Sequence, residues 1–132
     1  MSTLEALAQY LQDEGLGVRG TSIFLGSQAS IPAGAGPYII LIETPGEPPR
    51  ATHNKGFIAY RRPHVQVVIA AKDVTIARAK SETVFQSLSF VNRRIGDVDF
   101  LKVRPLQDPN DFGADGVGRS QQKWNLACER AA

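Results

Sequence analysis

The residues whose types and spacing could carry chemistry fall into three groups. Gly113-Ala-Asp-Gly-Val-Gly118-Arg119-Ser120 has the spacing of a phosphate-binding loop, with arginine where lysine belongs. Such a loop works only after a strand and before a helix N-terminus, where backbone N–H groups converge on the phosphates. Here Pro109 and Asp111 precede it, an alternating stretch follows, and Asp115 would place negative charge inside the cradle. A glycine-rich turn between two strands fits better. Asp108, Asp111 and Asp115 offer hard oxygen ligands, but a calcium loop needs them at alternate positions with a closing glutamate. Phe112 and Gly113 break the alternation and no glutamate closes it, so these are turn-forming aspartates. His53 and His64 flank a proline-rich stretch; zinc needs three or four ligands, and the single cysteine, Cys128, lies far along the chain. A triad assembled in space is not readable from sequence, yet no G-x-S-x-G elbow points to one. Cys128 sits in a strand-like setting with no base beside it, as a small core residue does. Neither catalysis nor a cofactor is expected.

The elements that must position these groups begin with a helix. Ser2 caps it and Glu5 follows at the capping-box spacing. Leu4, Leu7, Ala8 and Leu11 make its apolar stripe, and Gly15 stops it with Leu16 folding back on Leu11. Val18–Leu25 is β-like and Gly26–Gly36 a loop. Tyr38–Ile42 is an apolar run bounded by Pro37 and Pro45, a strand buried on both faces. Thr44–Gly56, with three prolines, is expected to leave the sheet as a long excursion.

Phe57–Ala71 returns as a strand in which Val65, Val67 and Ile69 alternate with His64, Gln66 and Val68. Asp73 caps a second helix whose apolar face is Ala77, Val84, Leu88 and Val91, with Phe85 alongside and Arg78, Glu82, Gln86 and Arg93 elsewhere. Phe100–Val103 is a strand ended by Pro105. A turn-rich loop spans Asp108–Arg119, and Lys123–Glu129 closes the chain with Trp124, Leu126 and Cys128 on one face. The order predicts a single α+β domain over residues 1–132: a mixed, mostly antiparallel sheet of four to five strands covered by two helices.

With 132 residues there is room for one core, and 42% hydrophobic with 21% charged residues is ordinary globular usage. A net charge of +2 is too weak a footprint for a dedicated nucleic-acid domain. Arg61-Arg62 and Arg93-Arg94 are the only adjacent basic pairs. One cysteine permits no intrachain disulfide, no secretion signal opens the chain, and no apolar run is long enough to cross a bilayer. A soluble protein made in the cytoplasm, without membrane attachment, is expected.

From Tyr60 onward the chain resembles a family. The run Arg62-Pro63-His64-Val65-Gln66-Val67-Val68-Ile69 leads through Ala71-Lys72-Asp73 into an alanine-rich helix. Pro105-Leu106, Asp108-Pro109, Phe112-Gly113, Asp115-Gly116 and Gly118-Arg119 then precede a closing strand with Trp124-Asn125-Leu126. Order and spacing, with the Gly15-Leu16-Gly17 helix exit, resemble the minor capsid and tail-terminator proteins of long-tailed bacteriophages and gene-transfer particles. Ala70-Ala71, where relatives often carry arginine, and the residues around Val117 depart from that pattern. The resemblance implies a virion protein of the tail and neck, assembled in the host bacterial cytoplasm. It also implies a homo-oligomeric ring, usually a hexamer, between the tail tube protein and the head-completion or connector proteins, with DNA passing the lumen without specific binding. On that basis the two long loops are candidate ring or tube contacts, through Pro45, Glu47, Arg50, His53, Lys55, Asp108, Asp111, Asp115 and Arg119. Arg61 and Arg62 are candidate basic residues of the lumen. Another neck component, a small nucleotide-binding enzyme and a single-stranded nucleic-acid module stay open as alternatives.

Overall fold

The structure is a computed structural model that describes residues 1–51 and 58–132. Helix α1 (Thr3–Asp13) begins as the capping box demands: Ser2 Oγ accepts from the Glu5 N–H, and the Glu5 carboxylate accepts from the Ser2 N–H. It ends in a Schellman motif, with Gly15 at φ 76° and the Leu16 N–H donating to the Leu11 carbonyl at 2.9 Å. Leu7, Ala8 and Leu11 are fully buried along its inner face.

Seven strands follow among the described residues, not four to five. These are β1 (Ile23–Leu25), β2 (Tyr38–Ala51), β3 (Ile58–Ala71), β4 (Phe90–Ile95), β5 (Val98–Pro105), β6 (Asn110–Ala114) and β7 (Ser120–Ala131), with α2 (Val74–Ser87) after β3. The sheet order is β1-β2-β3-β7-β5-β4, and β6 pairs with β7 beyond the end of β5. Only β1–β2 is parallel, so the mixed, mostly antiparallel character is as expected.

Both helices cover one face. Ile39 and Leu41 of β2, Val65, Val67 and Ile69 of β3, and Trp124, Leu126 and Cys128 of β7 point at them, the two-residue period of half-covered strands. Phe85 of α2 meets Trp124 edge-on at 5.9 Å. On the opposite face Ile40, Val68 and Ala70 form a smaller cluster under the loop that carries Ile31. Tyr38–Ile42 is therefore buried from both sides. Gly36 lets that loop approach: a Cβ there would stand 2.6 Å from the Ala70 carbonyl oxygen.

Three strand segments depart from the sequence expectations. Residues from Thr44 to Ala51 do not leave the sheet; they continue β2 against β3 with register shifts between Thr44 and Glu47 and again beside Arg50. Pro45, Pro48 and Pro49 are tolerated because β1 covers β2 only at Ile39–Leu41, so among the described residues the outer edge beyond has no partner to supply with N–H donors. The second helix stops at Ser87, and Val91 lies in edge strand β4, 62% exposed, rather than on the helix's apolar face. Arg93 also belongs to β4, and its guanidinium lies over the Tyr10 and Phe90 rings at 5.1 and 5.5 Å. Within the presumed loop after Asp108, β6 is a five-residue strand with every residue exposed.

Leu126, fully buried at the centre of this layer, should cost about 2–5 kcal/mol when changed to alanine. Ser2→Ala should cost about 1 kcal/mol by removing the helix cap. Urea unfolding followed by circular dichroism checks both, and a Ser2→Ala loss as large as that of Leu126→Ala would contradict the ranking.

Candidate functional site: hairpins and the open sheet face

The candidate contact residues fall on β2 and β3, on the β6–β7 hairpin and on the sheet face without helices. Glu47 pairs across β2–β3 with Arg62, and their side chains form an ion pair of 2.7 Å. The Arg62 Nε also donates to the Pro48 carbonyl at 2.8 Å, so this arginine fastens the irregular part of the hairpin. Pro45 and Glu47 are exposed there, and Arg50 pairs through its backbone with Tyr60. His53 and Lys55 lie outside the described residues. Arg61 faces Arg130 across β3–β7. Successive strand residues point to opposite faces, so Arg61 and Arg62 present their charges to opposite sides of the sheet.

The β6–β7 turn is held from within. The Asp115 carboxylate accepts from the Val117 and Arg119 N–H groups at 3.0 and 2.9 Å and from Arg119 Nε at 2.7 Å. Arg119 is 5% exposed; it also donates to the Pro32 carbonyl at 2.6 Å and lies over the Tyr38 ring. The segment with phosphate-loop spacing is thus a turn whose N–H groups are answered by its own aspartate. Desolvation, the largest influence on Asp115, pushes its pKa up. Hydrogen bonds from the Arg119 backbone and guanidinium and from the Val117 N–H, with the Arg119 charge, together outweigh it and hold the carboxyl below its ordinary value.

Asp111 is turned toward α2, accepting from Arg78 at 2.7 Å and from the Gln122 amide. The Arg78 bond is the main reason its carboxyl also titrates low. Asp108 is exposed before β6. Asp111 and Asp115 therefore serve separate structural ends, Asp108 is exposed, and the three do not converge. Two apolar residues stand out on this hairpin, Phe112 at 59% and Val117 at 49% exposure, with Lys123 Nζ 3.5 Å from the Phe112 ring centre.

Sheet edges are poorly suited to adding a strand from another chain. Proline removes donors along β2, β1 is three residues long, and Asn92 at φ 49° interrupts the extended course of β4. Cys128 is buried, and desolvation pushes its thiol up to about 12, so it is no nucleophile. Among the described residues no group of three or more His, Cys, Asp or Glu could hold a metal ion, and no helix is long and apolar enough to cross a membrane.

The fold is a two-layer α+β arrangement, two helices on one face of a mostly antiparallel sheet with the other face partly open. The bacteriophage tail terminator family model matches residues 10–130, and the chain belongs to that family of tail structural proteins. Eleven chains of solved structures match this one. One is from the virion of a native gene transfer agent particle, with a TM-score of 0.63 at 16% identity over 99% of this chain and 96% of that one. No curated protein matches the sequence.

Two outcomes follow from this geometry. Asp115→Ala should cost about 3–5 kcal/mol at neutral pH because it leaves Arg119 buried without its partner. A lowered carboxyl stabilises the fold above its unfolded pKa of about 3.9, and that contribution disappears as pH falls through the folded value. The gap between native and variant should therefore be full above about pH 5 and shrink below about pH 4, read from urea midpoints. Cys128 should resist a thiol reagent at pH 8 in the folded protein and react on addition of urea; rapid native labelling would contradict its burial.

Proposed function

We propose that copies of this chain close into a ring, a hexamer, at the head-proximal end of the tail tube. There it stops tube polymerisation and joins the tail to the head-completion proteins, without catalysing a reaction. The family match across residues 10–130 carries this reading. The surfaces support it: a subunit with different patches on its two sides makes head-to-tail contacts, which close into a ring when the rotation permits. Since the sheet edges discourage strand addition, neighbours meet through the β2–β3 arm around Pro45, Glu47 and Arg50 and through the β6–β7 hairpin. In the latter, Asp108, Phe112 and Val117 reach the neighbour while Asp111, Asp115 and Arg119 hold the hairpin in shape. A specific contact buries about 1,600 Å² in total. Arg61 and Arg62 face different sides, so at most one of them lines a given lumen wall, and DNA passes without being gripped. Membership in a neighbouring neck protein class is the second reading, favoured only if the subunit binds the connector side and leaves tube ends free.

Negative-stain images and light scattering of the purified protein should show rings, and their addition to polymerising tube protein should cap the tubes at fixed length. Val117→Asp combined with Phe112→Ser should abolish rings at unchanged thermal stability. Rings that persist in that variant would remove the β6–β7 hairpin from the contact, and tubes that grow on in the presence of wild-type rings would overturn termination.

A further inference from the structure

The open sheet face carries a hollow of about 90 Å³ over Ala127 that the assembly reading leaves unused. We propose that it is a carboxylate socket, which receives an aspartate or glutamate side chain from a neighbouring protein of the particle. The source of the carboxylate rests on the assembly reading; the socket itself does not.

Register builds it. Ala127 of β7 is flanked by His64 of β3 on one side and Arg104 of β5 on the other, so a methyl group sits between two long side chains. One row further along, Lys102 is the cross-strand partner of Glu129. Arg62 lies between Arg61 and His64, whose partners are Arg130 and Ala127, and so falls opposite Glu129 on β7's other edge. Glu47, Arg62, His64, Lys102, Arg104 and Glu129 wall the hollow.

The donors in that wall outnumber the acceptors they are given. Glu47 is taken up by Arg62 at 2.7 Å. Lys102 and Arg104 have no ion pair or side-chain hydrogen bond among the described residues. His64 Nε2 is enclosed and unpartnered, with the nearest Glu47 oxygen at 3.9 Å, beyond hydrogen-bond reach. An ammonium, a guanidinium fork and an imidazole thus border one small space, and none of the three is paired to the carboxylates in its wall among the described residues. A carboxylate supplies two oxygens in a plane, which an arginine fork and a second donor recognise.

A DNA phosphate is the poorer occupant. Glu47 and Glu129 in the hollow's wall repel a continuous polyanion more strongly than a single carboxylate, which brings one charge on a flexible stem.

The test titrates the intact protein at pH 7 with sodium acetate against sodium chloride at matched ionic strength, following the His64 ring signals by NMR. A saturable shift with acetate alone is expected. Arg104→Gln should weaken it about tenfold, the loss of one charge-assisted hydrogen bond, and Ala127→Leu should abolish it by filling the space, with both variants melting as the wild type does. Equal shifts with chloride, or an undiminished response in a folded Arg104→Gln, would overturn the socket. A matching saturable shift with a short DNA duplex would replace the carboxylate by phosphate and overturn the ligand class. Arg104→Glu should then prevent assembly with the neighbour. If acetate binds and that variant assembles normally, the neighbour assignment falls and the socket stands. If wild-type protein forms no assemblies at all, the assembly reading fails, and the acetate titration still decides the socket.

Discussion

Strand β7 is paired on both edges, with β3 along one side and with β5 and then β6 along the other. The rest of the subunit depends on that pairing. Trp124, Leu126 and Cys128 project from it into the layer beneath the helices, at 1%, 0% and 3% exposure. Because β7 comes last in the sequence, the strands on either side of it are separated by α2, β4 and their connections until it is in place. The long-range closure it requires carries the loop entropy of a non-local sheet. Its opposite side chains, among them Ala127 and Glu129, build the polar open face. One strand therefore sets both the core and the surface offered to partners.

The β6–β7 turn shows how a buried charged group can hold separate parts of a fold together. A buried ion pair gains little over an apolar replacement unless hydrogen bonds complete it. Arg119 meets that condition: it reaches Asp115, the Pro32 carbonyl and the Tyr38 ring, tying the turn to the loop that covers the second apolar cluster. Phe112 and Val117 are thereby presented on a framed hairpin. Elsewhere Lys80 bridges the layer, donating to the Leu16 carbonyl just past the end of α1, and burial lowers its pKa.

Local signals were legible where the cause is local. The capping box at Ser2 and Glu5, the Gly15 stop, the Asp73 cap and the alternation of β3 and β7 depend on neighbours within a few residues, and each appears as expected. The second half of β2 and the whole of β6 were hidden. Prolines and aspartates ordinarily end strands, and only an edge position or a covered turn makes them acceptable. Val91 continued the helical spacing of α2 by coincidence, and the chain turned at Leu88 because Phe90 packs against Tyr10, 4.7 Å between ring centres.

Composition and spacing by themselves pointed to an α+β fold and left each apparent chemical motif incomplete; the order of short motifs pointed to the tail-terminator family. The tertiary structure alone decided how the charged residues are used. Adjacent arginines at 61 and 62 split across two faces because a strand alternates. Asp108, Asp111 and Asp115, close in sequence, were parted by a strand and a turn. His64, Lys102, Arg104 and Ala127, far apart in sequence, were gathered over one hollow. Side-chain alternation follows from local backbone geometry, but which strands lie side by side, and in what register, is set by burying one common core.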